Sequence, residues 1–236
     1  TDVVVSNNNS DSTGPVLNNF VIITPTVYPG TVVDKMLFDV TLTDTGAGVS
    51  SARVEMVGPS GVIVSAVNSL ATPTASTTLS LATPVLSDHL EQGVWNVLSL
   101  LVVDAAGNSV EYVDDLTGMG FDTSLQSINP QSDSTAPAMD SFAVLDAEVF
   151  PASGSAVMRF SVSVSDDLAG VEKVRIDLRG PAGQIIYAWG NYSSNFPLND
   201  TAQVETAVLS NLLHPGTWAG ERAVVFEEAG NSRETM

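Results

Sequence analysis

The chain repeats itself, and nothing else in the sequence constrains its fold as strongly. Asp11-Ser12-Thr13-Gly14-Pro15 returns as Asp133-Ser134-Thr135-Ala136-Pro137, a shift of 122 residues. Phe20 returns as Phe142, and Phe38-Asp39-Val40-Thr41-Leu42-Thr43-Asp44 returns as Phe160-Ser161-Val162-Ser163-Val164-Ser165-Asp166, at that same shift. Gly48-Val49 matches Gly170-Val171, and Gly58-Pro59-Ser60-Gly61 matches Gly180-Pro181-Ala182-Gly183. Later the shift becomes 123: Gly93-Val94-Trp95 aligns with Gly216-Thr217-Trp218, and Asp104-Ala105-Ala106-Gly107-Asn108 with Glu227-Glu228-Ala229-Gly230-Asn231. A single inserted residue over such a span predicts tandem copies of one module, 11–130 and 131–236. Two domains are also what a length of 236 residues suggests.

Within each copy the apolar residues alternate. Met158-Arg159-Phe160-Ser161-Val162-Ser163-Val164-Ser165 has period two, as do Val174-Arg175-Ile176-Asp177-Leu178-Arg179 and its counterpart Arg53-Val54-Glu55-Met56. Clusters of Gly, Asp, Pro, Ser and Asn break the chain between these segments. No apolar stripe holds helical spacing over three turns, and only Asp114–Phe121 suits a single helical turn. The expected class is therefore all-β, an antiparallel β-sandwich in each copy. The alternation changes after Trp95 relative to Trp218, which predicts a bulge there.

The repeat also assigns the ends. Thr1-Asp2-Val3-Val4-Val5-Ser6-Asn7 lies 122 residues before Thr123-Ser124-Leu125-Gln126-Ser127-Ile128-Asn129, the expected last strand of the first module. Residues 1–10 then read as the last strand of a preceding repeat plus a linker, and module two as ending before its own last strand. A strand without a partner recruits one, so Val3–Ser6 is a candidate for strand exchange with another copy. Thr1 opens no signal peptide, and the chain reads as a mature or excised piece.

Composition narrows the partners. Lys and Arg total 8 against 27 Asp and Glu, a formal net charge of -19, which repels nucleic acid and anionic membrane surfaces. No run approaches the length needed to span a bilayer as a helix, so no membrane insertion is expected. Without cysteine there are no disulfides and no thiolate chemistry.

Taken together, the Asp-x-Thr-x-Pro opening, the Asp-Asp-x-x-Gly-Val turn, Gly-Pro-x-Gly, Gly-x-Trp and Asp-x-x-Gly-Asn resemble bacterial immunoglobulin-like repeat modules. The likeness covers nearly all of 11–236. Such modules belong to large secreted or surface-anchored proteins, adhesins among them. The resemblance implies two tandem immunoglobulin-like sandwiches and a secreted or cell-surface place, as a structural spacer or interaction module beside neighbouring repeats of the same chain. Some members bind calcium at module junctions.

In such a module the start of the first strand lies near two loops at one pole. Asp11, Asp44, Asp104 and Asn108 would converge there in module one, and Asp133, Asp166, Asp167, Glu227, Glu228 and Asn231 in module two. Oxygen ligands drawn from several loops suit a hard cation, and Ca²⁺ tolerates irregular geometry better than Mg²⁺. The same residues also serve as turn caps, bonding nearby backbone N–H groups without any metal.

Tyr187, Trp189 and Tyr192 form an aromatic stretch with no counterpart in module one. Flat rings flanked by Asn and Ser suit a glycan or other surface ligand, which makes an accessory carbohydrate-binding module the alternative. Rings plugging a core beneath a long loop are the competing explanation. Trp95 and Trp218, in equivalent places, read as packing residues. For catalysis the signals are poor: only His89 and His214 are available as histidine bases, there is no Gly-x-Ser-x-Gly elbow, and the paired carboxylates are adjacent in sequence. No enzymatic activity is expected.

Overall fold

A computed structural model describes residues 10–146, 148–151, 156–192 and 195–235. The expectations for residues 1–7 lie outside that set. The chain divides into two units, Thr1–Pro130 and Gln131–Met236, and both are all-β among the described residues apart from one helical turn.

In the first unit the alternating segments become β1 (Val16–Ile22), β2 (Thr26–Val27), β3 (Leu37–Thr43), β4 (Val49–Val57), β5 (Ile63–Thr74), β6 (Ser76–Ala82), β7 (Gly93–Asp104), β8 (Ser109–Tyr112) and β9 (Ser124–Ser127). Their hydrogen-bonded order is β1-β3-β6-β5-β4-β7-β9-β2, and β8 also pairs with β7. The β5–β6 link is narrow, Val67 opposite Ala82. It joins a β1-β3-β6 group to a group centred on β4 and β7. Among the described residues, only β2 and β9 run parallel. The expected helical turn is α1 (Asp115–Gly118), which buries Leu116 and divides the strand edge on β7 between β8 and β9.

The second unit consists of β10 (Ala138–Val144), β11 (Arg159–Ser165), β12 (Val171–Arg179), β13 (Ile185–Asn191), β14 (Asn199–Thr206), β15 (Ala219–Glu227) and β16 (Ser232–Thr235), in the order β10-β11-β14-β13-β12-β15-β16. β16 holds the position that β8 has in the first unit, Phe226 opposite Ser232 as Val103 is opposite Ser109.

Residues that align in sequence pair alike in space. Phe20 lies opposite Val40 and Phe142 opposite Val162. Each first strand bulges at the same place, between Leu17 and Asn19 and between Met139 and Ser141. The bulge expected after Trp95 falls at Leu98, where Met56 pairs with Val97 and Glu55 with Ser99. It occurs in β15 as well, at Glu221, between the pairs Leu178–Gly220 and Asp177–Arg222.

Period two then builds the cores. Phe38, Val40 and Leu42 turn inward and are fully buried, as are Phe160, Val162 and Val164 to within a few per cent. Phe20 stacks on Phe38 at 6.0 Å between ring centres and Phe142 on Phe160 at 5.6 Å. The Gly-Pro and Gly-x-Trp motifs meet across the sheet. A Cβ on Gly58 would stand 2.8 Å from Trp95, and one on Gly180 would stand 2.7 Å from Trp218, so the indole packs against bare backbone in both units.

Candidate metal centres

Three carboxylates converge in each unit. Asp11, just before β1, Asp44, just after β3, and Asp104, the last residue of β7, each offer an oxygen within 4.8 Å of the others. Asp133, Asp166 and Asp167 do the same in the second unit.

The frame around them is built from turns and recurs between units. Asp11 Oδ1 accepts from the Thr13 N–H at 3.1 Å and Oδ2 from the Ala47 N–H at 2.6 Å. Asp133 Oδ1 accepts from Thr135 N–H and Oδ2 from Ala169 N–H, both at 2.8 Å. These backbone donors, Ala47 foremost, hold Asp11 below the ordinary carboxylate range. Asp44 Oδ1 caps the Gly46 N–H at 2.6 Å, and Asp166 Oδ2 caps Leu168 and Gly170 at 3.2 and 2.6 Å. Turn capping is thus present at Asp11, Asp44, Asp133 and Asp166.

Capping leaves some oxygens over. Asp44 is 4 % exposed and its Oδ2 has no hydrogen-bond partner. Glu227 is 1 % exposed and its Oε2 has none; the buried Asp166 Oδ1 is in the same condition. A buried carboxylate oxygen without a donor carries a desolvation cost that a cation or a proton removes. No Lys or Arg among the described residues makes an ion pair with Asp11, Asp44, Asp104, Asp133, Asp166, Asp167 or Glu227, the few ion pairs lying elsewhere on the sheets. Clusters of this kind, all oxygen and drawn from three loops in the first unit and two in the second, fit a hard divalent ion.

Asn108 and Asn231 stand beside the carboxylates and orient them. Asn108 donates from its backbone to Asp104 Oδ1 at 2.8 Å and from Nδ2 to Oδ2 at 2.7 Å. Asn231 Nδ2 donates to Glu227 Oε1 and to the Asp133 carbonyl. Glu227 takes the position of Asp104, but burial, with the neighbouring Asp166 carboxyl, pushes it up to about 8. The sequence pointed to Glu227 as a ligand. Its raised protonation range was not legible, because that depends on how deeply the side chain is buried and how close Asp166 comes.

The aromatic stretch divides. Tyr187 and Trp189, two residues apart on β13, share an outer face and are 49 % and 38 % exposed. The Arg175 guanidinium lies over both rings, at 5.7 and 5.6 Å from their centres. Tyr192 is not with them. It packs against the core of the second unit and donates its hydroxyl to Asp200 at 2.7 Å, and burial raises its phenol. Sequence reasoning missed Arg175, whose place opposite Trp189 on the adjacent strand follows only from the β12–β13 register.

No protein-family model matches the chain, and no curated protein matches it either. Among solved structures, a DUF4785 family protein from Legionella pneumophila subsp. pneumophila str. Philadelphia 1 is similar over 89 % of this chain at 14 % identity, with a TM-score of 0.31. This chain spans about half of that one, 52 %. The YadV chaperone is similar over 92 % of this chain and 97 % of its own length, at 13 % identity and a TM-score of 0.25.

Proposed function

We propose that the chain is a non-catalytic pair of immunoglobulin-like β-sandwich modules, a structural or interaction segment of a larger extracellular bacterial protein, stiffened by Ca²⁺ at its two acidic poles. In the sandwich reading, β1-β3-β6 forms one layer and β5-β4-β7 with β8 and β9 the other, and β10-β11-β14 faces β13-β12-β15-β16 in the second module. The repeated motifs and the equivalent registers support two copies of one module. The net charge of -19 favours divalent cations as partners and solubility outside the cell.

The observation that carries the cation reading is the unpartnered oxygen of a buried aspartate, Asp44 Oδ2, within a set of three converging carboxylates. Ca²⁺ held there would join the loop before β1 to the ends of β3 and β7. That loop leads into the module, so the ion would fix the direction in which the chain enters. Tyr187 and Trp189 are read as a brace, since Arg175 takes the ring faces that a sugar would stack on.

Calorimetric titration of Ca²⁺ into the chelator-stripped chain tests the proposal. Saturable binding that Asp44→Asn removes from the first module, and that Mg²⁺ does not reproduce, is the expected result. Absence of any saturable heat, with Asp44→Asn behaving as the parent chain, would return these aspartates to turn capping alone.

A further inference from the structure

Alternation gives β12 two faces, and the repeat treats them differently. Val174, Ile176 and Leu178 turn inward and align with Ala52, Val54 and Met56 of the first unit, apolar and buried in both. The outward positions do not match in this way. By strand register Tyr187 stands where the first unit has Ser65, and Trp189 where it has Val67. Lys173 and Arg179 stand at the places of Ser51 and Val57, and Arg222 at that of Ser99. Five positions on one face are thus small or aliphatic in the first unit and aromatic or cationic in the second. The fold does not require these side chains, since the first unit forms the same strands without them.

Charge singles out the same face. Lys173, Arg175, Arg179 and Arg222 are four of the 8 Lys and Arg residues in a chain whose net charge is -19. The other four are spread over β4, β11, β16 and the loop before β3. On this face cations alternate with carboxylates. Asp177 accepts from Arg175 Nε and from Arg222 Nε, each at 2.8 Å, Arg222 also reaches Glu234 at 3.3 Å, and Arg179 pairs with Glu221. The face is therefore close to neutral, and every guanidinium on it is fixed by its own chain. Side chains held in advance lose little freedom on contact, and Tyr, Trp and Arg are the types that anchor protein interfaces.

We propose that the outer face of β13-β12-β15-β16 joins two copies of the chain, second unit to second unit, about a two-fold axis. The inference is independent of the cation reading. A purely acidic partner would find the guanidinium groups already taken by Asp177, Glu221 and Glu234, and a basic one would meet the arginines. A surface that mixes both signs around aromatic rings is matched by another of its kind. Over the rest of the molecule the excess of Asp and Glu opposes the approach of a second copy. A contact of one face with itself closes at two chains. Four strands about 4.8 Å apart, each with about seven residues of 3.4 Å rise, give a footprint of roughly 450 Å² per copy, the scale of a weak, reversible pair.

The test is sedimentation of the whole chain in chelator, over a concentration series that reaches about 1 mM. The expected result is a reversible rise from one chain toward two, with no larger species. Tyr187→Ser combined with Trp189→Val installs residues that the first unit folds with, and should weaken the pair at least about tenfold. Arg179→Val, at an exposed place on the same face, should weaken it about threefold. Val67→Ser, at the matching place in the first unit, should leave it unchanged. Circular dichroism checks that each variant keeps its strands. One chain at every concentration, a mass that climbs past two, a pair that Tyr187→Ser with Trp189→Val leaves intact, or equal loss from Val67→Ser would overturn the proposal. A one-chain species that binds polyglutamate, and loses it on Arg179→Val, would assign the face to an acidic partner instead.

Discussion

On strands whose registers match, the first unit ends β7 with Asp104 and the second ends β15 with Glu227, and the longer side chain changes what the acidic turns hold. Asp104 folds back onto Asn108, which occupies both of its oxygens, and the unpartnered oxygen of that cluster belongs to Asp44. Glu227 keeps one oxygen on Asn231, and its other meets no donor. Burial beside Asp166 makes a proton welcome there near neutral pH. At the opposite end the contrast is one of cover: Trp95 is fully buried and donates to the Glu91 carbonyl at 3.2 Å, whereas Trp218 is half-buried and reaches His214 at 3.4 Å. A backbone frame can thus be kept while one side chain's length sets the charge state at one pole and one covering strand sets the packing at the other.

The tryptophans give the largest test of this contrast. Trp95→Ala should cost about 3–5 kcal/mol in denaturant unfolding, the scale for emptying a buried aromatic site. Trp218→Ala should cost about 1–2 kcal/mol, because less of its surface leaves water. Equal losses would erase the distinction.

Next comes Glu227→Gln. In chelator at pH above 8 it should raise stability by about 1–3 kcal/mol, since the amide can donate to Asp166 where the carboxylate cannot. Destabilisation there would show that the carboxylate is satisfied in the folded state.

The pH dependence sharpens the same point. The value of about 8 for folded Glu227 lies above its ordinary 4.5, so between these two the folded state binds more protons than the unfolded chain. The stability this group contributes in chelator is fully present below 4.5 and falls as pH rises toward 8. Glu227→Gln should flatten that fall in unfolding curves taken across the range, and an unchanged slope would remove Glu227 as its source.

The smallest effect belongs to the aromatic pair. Tyr187→Leu should lose about 0.5–1 kcal/mol, the worth of an exposed cation–π contact with Arg175, in a double-mutant cycle with Arg175→Gln. A coupling of zero would leave the pair without a bracing role.

Much of this was legible in the sequence because it is written twice. A single copy of Phe38–Asp44 is a plausible strand; its return at Phe160–Asp166 with the same alternation marks the inward residues. The Gly58 and Trp95 motifs could be located in sequence, but their mutual contact could not, because it joins segments that only the β4–β7 pairing brings together. Convergence of Asp11, Asp44 and Asp104 followed from the expected placement of strand ends. Which oxygen would lack a partner did not, since that is decided by single backbone N–H groups such as those of Gly46 and Ala47. Tyr192 was grouped with Trp189 because both fall in one aromatic stretch, yet the strand ends at Asn191 and the Tyr192 hydroxyl bonds Asp200.

The most direct test of the cation account is a calorimetric melt of the whole chain in chelator and with Ca²⁺ raised to saturation, Mg²⁺ alongside. A ligand that binds only the folded state raises the midpoint by mass action. The account predicts a saturable rise, larger with Ca²⁺ than with Mg²⁺ and reduced by Asp44→Asn. A midpoint that ignores Ca²⁺, or that follows both ions equally and is indifferent to Asp44, would contradict it.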